Sequence, residues 1–480
     1  MIKVFNYLTR KTEALKPLRG RVIRMYACGP TVYNHQHIGN YRTYIFEDVL
    51  RRALSAAGYR VRHIINITDV GHLTSDADTG EDKLAAAARR ERKTAWEIAR
   101  FYEERFKEDI RKLNILEPVK WVRATEHIEE QIALVRTLEK KGFTYIIARD
   151  GVYFDTGKLP DYGKLMPSRL KGLRAGARVA RAGGKRNATD FALWKFSPEG
   201  ARRDMEWESP WGKGFPGWHI ECSAMSMKYL GKTFELHAGG VDHIPIHHTN
   251  EIAQSEAATG RPFVRYVVEG EHLLAQGKKM SKSLGNFYTL GDIEERGFHP
   301  LDFRYLVLQA HYRSLLNFTW QSLAAAREGL AGITNQLDLL RAQRRKKAPR
   351  NTARLAALIA THERAFQKAV ANDLDTPAAL SVLNRLLHES GKLRQEDRLS
   401  GQGAKELLET VLRFDRVLGL DLAHRSALAP RAAAVAKLLD ERETLRKERK
   451  FSEADAVRGK IEAMGYTVED TPEGPRVKQR

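Results

Sequence analysis

The sequence predicts an α/β protein with a parallel sheet that is split by an insertion, followed by an α-helical bundle and a small α+β unit at the C-terminus. Three observations support this fold class. Residues 21–67 follow a strand–helix–strand pattern, which places the two strands in parallel. A second portion of the sheet is predicted within 218–251. Past residue 290, apolar residues recur with the 3.6-residue period of helices.

The first strand is predicted at 21–26, and the helix after it carries apolar residues four apart from Ile45 to Ala57. Gly58 stops this helix, and the second strand covers 59–67. Ligands of parallel sheets gather at the carboxyl ends of the strands. The residues expected at those ends are Cys28, Gly29, Thr68 and Asp69.

The remaining elements follow from the same periodicities. Helices are predicted over 84–115, 126–141, 300–311, 320–341, 352–372 and 432–450, and strands over 143–148 and 152–154. An Asp150-Gly151 hairpin joins those two strands. A capping box at Ser452 and Asp455 is predicted to open another C-terminal helix, ahead of a hairpin over 466–477. Residues 164–189 contain no acidic side chain and are predicted to form a basic loop.

Composition excludes several classes of protein. A chain of 480 residues with 42% hydrophobic and 29% charged residues is globular and not disordered, and its two cysteines cannot build a disulfide scaffold. No apolar run reaches the ~18 residues of a membrane span. The N-terminus carries no charged leader with a long apolar stretch, so a cytoplasmic location and no membrane partner are expected. The net charge of +21 favours a polyanionic partner, although the same charge also serves solubility.

Two segments carry the features of a nucleotide site. Residues 30–40 (Pro-Thr-Val-Tyr-Asn-His-Gln-His-Ile-Gly-Asn) precede the first helix, whose N–H groups would bind an anion. Gly39 lets the backbone approach a nucleotide, and His37 can donate to a phosphate oxygen. A turn glycine and a solvated histidine would explain the same letters. In residues 278–286 (Lys-Lys-Met-Ser-Lys-Ser-Leu-Gly-Asn), which we call the lysine loop, Lys279 and Lys282 can clamp a triphosphate.

These two segments resemble the HIGH and KMSKS motifs of class I aminoacyl-tRNA synthetases. The residues around the two cysteines, at 25–33 and 217–225, and the segment 247–255 are similar to cysteinyl-tRNA synthetases. Further similar segments lie at 190–195, 311–314, 374–377 and 469–474. The resemblance implies the Rossmann-like sheet of class I synthetases and the ligation of L-cysteine to tRNA(Cys) through a cysteinyl adenylate.

A metal site is part of what the resemblance implies. One Zn²⁺ per chain would be held by Cys28, Cys222, His247 and Glu251. His247 and Glu251 are four apart and share a face if they lie on a helix. Thiolates and imidazole suit zinc, and a zinc-bound substrate thiolate would distinguish cysteine from serine by chemistry. Periodicity leaves His248 as a competing ligand, and without the resemblance two buried apolar cysteines would be the ordinary interpretation.

The resemblance also assigns the substrate contacts. The cysteine pocket would contain Gly29, Thr68, Trp218 and His237. ATP, with Mg²⁺, would be bound by Thr31, His37, Gly39, Asn40, Lys279, Ser281 and Lys282. His37, Asn40, Lys279 and Lys282 would be the catalytic residues among them. The sequence departs from the family pattern at Asn40, which stands in place of a final His, and at Ile246 and Thr249 beside the His pair.

Domain boundaries follow from the same resemblance. The first half of the catalytic domain is expected over 1–118, the connective insertion over 119–205 and the second half over 206–265. The lysine loop and a region contacting the tRNA stem would occupy 266–330, a helical tRNA-binding bundle 331–428 and an anticodon-binding unit 429–480. We expect a monomer.

Two other functions fit parts of the sequence. A ligase that adenylates cysteine and transfers it to a small amine would share the catalytic half but not the C-terminal segment. A non-catalytic nucleic-acid-binding paralogue would share the fold, but the complete Lys-Met-Ser-Lys-Ser segment and the four implied zinc ligands argue against it.

Overall fold

The structure is a computed structural model, and it describes residues 1–71, 82–166, 184–198, 203–281, 284–344, 352–426, 428–464, 466–471 and 474–479. The predicted fold class is confirmed. Contacts divide the chain into a unit of Met1–Ala326, Arg364–Ser381 and Arg416–Leu420 and a unit of Arg327–Glu363, Val382–Asp415 and Asp421–Arg480. The domain boundaries given above stay predictions.

Strands and helices are numbered here in chain order. The strands are β1 (Lys3–Asn6), β2 (Lys11–Ala14), β3 (Val22–Ala27), β4 (Arg60–Ile67), β5 (Lys120–Arg123), β6 (Thr144–Ile147), β7 (Gly151–Phe154), β8 (Phe191–Phe196), β9 (Gly214–Pro216), β10 (Phe234–Gly240), β11 (Val264–Gly270), β12 (Leu273–Ala275), β13 (Lys278–Lys279), β14 (Leu316–Phe318), β15 (Tyr466–Thr471) and β16 (Gly474–Gln479). The helices are α1 (Ile38–Ala56), α2 (Lys83–Glu91), α3 (Ala95–Lys112), α4 (Ile128–Lys140), α5 (Trp218–Leu230), α6 (Thr249–Thr259), α7 (Leu290–Glu295), α8 (Pro300–Leu308), α9 (Trp320–Gln343), α10 (Thr352–Ala371), α11 (Thr376–Gln395), α12 (Gly401–Leu418), α13 (Leu428–Lys447) and α14 (Phe451–Ala463).

The central sheet has the strand order β11-β10-β3-β4-β5, and all its neighbouring strands are parallel. Strands β3, β4 and β5 come before β10 and β11 in the chain, with the antiparallel strands β6 to β9 between them, so the sheet is split as predicted. Strand β5 was not predicted, and it lies within 119–205, the range assigned to the insertion. In the middle of the sheet, Met25 on β3 is in register with His63 on β4 and Leu236 on β10. This register brings the carboxyl ends of β3, β4 and β10 to one edge.

Helix α1 begins within residues 30–40, because His37 and Asn40 cap its first turn reciprocally. The side chain of His37 accepts a hydrogen bond from the backbone N–H of Asn40, and the Asn40 side chain accepts one from the N–H of His37. Apolar residues of the helix, such as Ile45 and Leu50, are fully buried. Gly58, with a φ of 84°, ends the turn after the helix, a conformation that suits glycine.

A second, antiparallel sheet has the order β6-β7-β8-β9, with β6, β7 and β8 inside the range predicted for the insertion and β9 after it. The predicted hairpin is present, but Arg149 takes the left-handed conformation in its turn, with a φ of 59°. Gly151 instead lies inside β7, where a Cβ would come within 2.3 Å of the carbonyl oxygen of Trp194. Glycine is therefore required at this position because the two strands pack closely there, and not because of the turn. Most of the predicted basic loop, 167–183, lies outside the described residues.

Two helix predictions were wrong in detail. The segment predicted as one helix over 84–115 forms α2 and α3, because Arg92 takes a left-handed conformation and Thr94 caps the next helix. Helix α14 starts one residue before Ser452. Its N-cap is Lys450, which makes no side-chain capping bond, so the predicted capping box is absent.

In the second unit, a small core joins α13, α14 and the terminal hairpin through Val435, Val457, Ile461 and Val468. No helix among the described residues is long and apolar enough to cross a membrane.

Candidate active site and metal centre

A cavity of about 540 Å³ opens at the carboxyl ends of the central strands. It is lined by ten of the residues that the sequence assigned to the site, namely Cys28, Gly29, Thr31, His37, Asn40, Thr68, Trp218, Cys222, His247 and Ser281. Gly39, His237, Glu251 and Lys279 do not line it directly. Lys282 lies outside the described residues.

Four potential metal ligands lie close together beside this cavity, and three of them line it. Cys28, Cys222, His247 and Glu251 each offer one ligand atom, and these atoms lie within 4.8 Å of one another. All four side chains are buried. Two sulfur atoms, an imidazole and a carboxylate form a donor set that suits tetrahedral zinc, so the residues present fit the metal that the sequence implied.

The local backbone explains how His247 reaches this site. The sequence predicted that His247 and Glu251 share a helix face, but residues Ile244–His248 form a π turn that leads into α6. Such turns re-aim side chains and are frequent at functional sites. The Nε2 atom of His247 lies 2.9 Å from Oε1 of Glu251, while its Nδ1 atom lies 2.9 Å from Nδ1 of His219.

The electrostatics of the four residues are strongly coupled. Burial alone would raise the pKa of Glu251, but the imidazoles of His237 and His247 hold it well below its usual range. Burial raises the pKa of Cys28. A hydrogen bond from Cys28 lowers the pKa of Cys222. The carboxylate of Glu251 is therefore ready to act as an anionic ligand, and Cys222 is the more acidic of the two thiols.

The structure gives His237 a different position from the other predicted cysteine-pocket residues. Its ring lies behind the ligand cluster, where Nε2 is 2.8 Å from Oε2 of Glu251. Gly29 and Thr68 instead line the cavity, and the side chain of Asn66 forms hydrogen bonds to both of them. The side chain of Asn66 accepts from the N–H of Gly29 at 2.8 Å and donates to Oγ1 of Thr68 at 3.0 Å. A contact between His237 and the substrate stays a prediction.

A second group with metal-ligand spacing shares two residues with the first. Cys28, His237, His248 and Glu251 also place their ligand atoms within 4.8 Å of one another. His248 is fully buried, with Nε2 3.3 Å from Sγ of Cys28 and Nδ1 2.6 Å from Oε1 of Glu269. The sequence had left His248 open as a ligand, and the geometry alone admits both histidines near Cys28.

The hydrogen bonds of His37, which lines the cavity, fix its tautomer. Because Nδ1 of His37 accepts the N–H of Asn40, the ring proton must lie on Nε2. Burial lowers the pKa of His37, so the ring is neutral. A neutral imidazole with its proton on Nε2 can donate one hydrogen bond to a phosphate oxygen. The Asn40 side-chain oxygen is occupied with capping, which leaves its amide N–H groups as the donors toward a nucleotide.

The lysine loop and the two residues that follow it contact the start of α1 directly. The N–H of Ile38 donates to the carbonyl oxygen of Tyr288 at 2.8 Å, and the Phe287 ring packs edge-on against His37 with centroids 5.2 Å apart. A Cβ at Gly39 would come within 2.6 Å of the Met280 methyl carbon. The absence of a side chain at Gly39 therefore lets the two motifs pack together.

Asn286 closes the lysine loop. Its side-chain oxygen accepts from the N–H of Ser281 at 2.8 Å, and its amide donates to the carbonyl oxygens of Lys279 and Ala275 at 3.2 and 3.3 Å. The turn between β12 and β13 uses two left-handed residues, Gln276 and Gly277, with φ of 53° and 75°. The loop is therefore held at both of its ends.

Sequence reasoning missed several residues of this site. Asn66, His219 and Glu269 were not assigned to the site, although His219 lies within the segment 217–225 and Asn66 lies two residues before Thr68 on one strand and so on the same face. The alternation could have identified Asn66, and the segment 217–225 could have identified His219. His219 and Glu269 meet the cluster only because α5 and β11 pack beside it.

Comparison with known proteins identifies the fold and the class. The family described as tRNA synthetases class I (C) catalytic domain matches residues 14–328, and the DALR domain matches 365–423. The structure is similar to a Mycobacterium tuberculosis methionyl-tRNA synthetase in complex with methionyl-adenylate, with a TM-score of 0.61 and 16% identity over 83% of this chain and 92% of that chain. At that identity the likeness concerns the fold alone. Together with the matched catalytic domain, it defines a class I aminoacyl-tRNA synthetase.

The curated relatives narrow the class to one family. Cysteine--tRNA ligase 1 of Burkholderia lata is 48% identical over 99% of this chain and 96% of its own length. The cysteine--tRNA ligases of Zymomonas mobilis and Thermus thermophilus are 42% and 41% identical, over 97% and 98% of this chain and 95% and 98% of their own lengths. The chain belongs to the cysteine--tRNA ligase family, and it is an enzyme, a ligase of the aminoacyl-tRNA synthetase group.

Proposed function

We propose that this enzyme attaches L-cysteine to tRNA(Cys) in two steps through a cysteinyl adenylate, and that a zinc ion selects the amino acid. The observation that carries the proposal is the convergence of Cys28, Cys222, His247 and Glu251, with ligand atoms within 4.8 Å of one another, beside a cavity that His37 and residues of the lysine loop also line. One end of the cavity thus suits a thiol and the other suits a triphosphate.

Zinc bound by these four residues would act as the Lewis acid that takes the substrate thiolate as a further ligand. This chemistry separates cysteine from serine, because the serine hydroxyl stays protonated and is a poor ligand for zinc. A pocket that relied on shape alone discriminates close analogues by only about 10- to 200-fold. The remaining residues of the pocket, Gly29, Thr68 and Trp218, would orient the amino acid and its carboxylate.

In the first step, the cysteine carboxylate attacks the α-phosphorus of ATP and pyrophosphate leaves. The start of α1 and the Nε2–H of His37 would bind phosphate oxygens, together with Asn40 and Thr31. Lys279 and Lys282 would stabilise the charge that moves onto the leaving pyrophosphate. ATP would enter with its Mg²⁺. This catalysis consists of positioning and electrostatic stabilisation, and it needs no covalent bond to the enzyme.

In the second step, a terminal ribose hydroxyl of the tRNA attacks the activated carbonyl carbon, and AMP leaves. Residues 331–428 and 429–480 would bind the tRNA away from its acceptor end. The net charge of +21 supports a partner that carries many phosphates.

Cysteine-dependent pyrophosphate exchange across a panel of amino acids, followed by transfer of labelled cysteine to tRNA, tests this proposal. We expect exchange with cysteine, no exchange with serine, and transfer to tRNA. A folded, zinc-loaded sample without cysteine-dependent exchange would refute the adenylate mechanism and favour a non-catalytic protein. Exchange without transfer to tRNA would favour a small-amine ligase.

The zinc ligands are tested separately by Cys222→Ser. We expect this variant to lose zinc and cysteine selectivity while ATP binding is retained. Ser226→Ala is the matched control, because Ser226 is a buried polar residue of the same helix whose hydroxyl donates to the carbonyl oxygen of Ser223, also in that helix. Unchanged zinc content in Cys222→Ser would remove Cys222 from the ligand set.

A further inference from the structure

A chain of buried hydrogen bonds reaches the predicted ligand Cys28 from strand β11. Oε1 of Glu269 lies 2.6 Å from Nδ1 of His248, and Nε2 of the same ring lies 3.3 Å from Sγ of Cys28. Glu269 and His248 are both fully buried. A carboxyl group, an imidazole and a sulfur atom are thus connected in line, with no solvent contact at the first two.

The proton positions follow from counting donors. A thiolate that ligates a metal can only accept a hydrogen bond, so Nε2 of His248 must carry its proton toward Cys28. Nδ1 then meets Glu269. If the proton between them lies on the carboxyl group, the acid and the ring are both neutral, which is the arrangement that buries the least charge.

The backbone leaves the His248 ring little freedom to turn. Gly239 on β10 is in register with Glu269 on β11. A Cβ at Gly239 would come within 2.8 Å of Cε1 of His248 and 3.2 Å of Oε2 of Glu269. On its other side, the ring lies against His237 with centroids 4.1 Å apart. The ring is therefore confined between a glycine backbone and a neighbouring imidazole.

We infer that His248 and Glu269 are positioning residues of the zinc site: His248 donates a hydrogen bond to the Cys28 thiolate, and Glu269 fixes the orientation of the ring. This inference rests on the zinc site of the proposed function. The set that contains Cys222 offers two thiolates and the set that contains His248 offers one. Zinc favours the first set, which leaves His248 outside the metal's own ligands. Hydrogen bonds of this kind orient ligands and slow their loss.

Zinc release from the full-length enzyme tests the inference without using its activity. The readouts are zinc per chain by mass spectrometry, the rate of zinc transfer to a chromogenic chelator, and the visible spectrum of the cobalt-substituted enzyme. We expect Glu269→Leu and His248→Gln to retain one zinc per chain and to release it about 10- to 100-fold faster. Glu269→Gln should release zinc within about threefold of the unmodified rate, since its amide donates to Nδ1 as the acid does.

His63→Gln is the matched control. His63 is also buried within the central sheet, and neither of its ring nitrogens has a hydrogen-bond partner in the described part of the chain. The same substitution there should leave zinc release unchanged. Release as fast as in His248→Gln would mean that loss of any buried imidazole loosens the fold, and would overturn the inference.

Three further outcomes would overturn it. Unmodified release rates in both Glu269→Leu and His248→Gln would show that the hydrogen bonds do not support Cys28. Loss of a nitrogen ligand from the cobalt spectrum of His248→Gln would make His248 a metal ligand. An unmodified enzyme that binds no zinc at all would defeat the proposed zinc site itself, a result distinct from the other two.

Discussion

Replacing Asn286 with alanine is expected to impair ATP activation while leaving the metal site and the fold intact. The side chain is 5% exposed and makes three hydrogen bonds to the backbone of the lysine loop and the adjoining strand. Each is worth about 1 kcal/mol, so the closed loop loses about 3 kcal/mol relative to open conformations. This corresponds to a loss of roughly 100-fold in kcat/KM for ATP if only the closed loop supports the reaction.

The assay is cysteine-dependent pyrophosphate exchange at varied ATP concentration, with zinc content and urea unfolding measured on the same samples. Asn286→Asp should lose less activity than Asn286→Ala, because its carboxylate still accepts the N–H of Ser281 but no longer donates. Asn317→Ala is the matched control, since the exposed side chain of Asn317 accepts the N–H of Gly277 in the same hairpin at 2.7 Å.

Activity of Asn286→Ala within twofold of the unmodified enzyme would refute the reasoning, because the loop would then need no closure by this residue. An equal loss in Asn317→Ala would assign the effect to the hairpin as a whole. Loss of zinc in Asn286→Ala would show that the two ends of the cavity are not independent.

Three further predictions concern the sheet that carries the site. Gly29→Ala places a Cβ 1.7 Å from the carbonyl oxygen of Asn66, so strands β3 and β4 must separate at the cavity. Cysteine-dependent pyrophosphate exchange should therefore fall at least tenfold, and near-normal exchange would contradict this geometry. Arg304→Ala should lower the free energy of unfolding in urea by about 3–5 kcal/mol, because it leaves Asp48 buried without its principal ion pair; a change below about 1 kcal/mol would contradict it. Burial raises the pKa of Asp69 to about 6, so its folded form holds a proton that the unfolded chain releases near pH 4. The free energy of unfolding of the unmodified protein should therefore fall relative to that of Asp69→Asn as the pH rises from about 4 to about 6, by about 3 kcal/mol in total. Above that range the difference should stay constant. A difference that does not change between these pH values would contradict the assignment.

Local patterns predicted much of this structure. The strand at 21–26 and the helix ended by Gly58 follow from hydrophobic period and backbone preference, and both are properties of neighbouring residues. One prediction failed because another part of the chain decides the conformation. Gly151 looked like a turn residue because of its neighbour Asp150, but it is required where β7 passes close to the carbonyl of Trp194. A local pattern contains no information about that distant contact.

The same distinction applies to the site. The two motifs and the pair His247 and Glu251 were visible in the sequence, since their members lie within a few residues of one another. The meeting of Cys28 with Cys222 followed from resemblance and not from spacing. The structure brings both near Glu251, because Cys28 follows the end of β3 and Cys222 lies near the start of α5.

The sequence by itself predicted the fold class from residue patterns at short spacing, and its motifs showed the resemblance that implied the family and the residues suited to zinc and a triphosphate. Only the tertiary structure decided which side chains form hydrogen bonds to these residues. His248 could be named from the sequence, but its connection to Glu269 and its confinement by Gly239 depend on the packing of β10 against β11. Hydrogen bonds act over about 3 Å of space and not along the chain, so contacts between distant segments arise only when the sheet assembles.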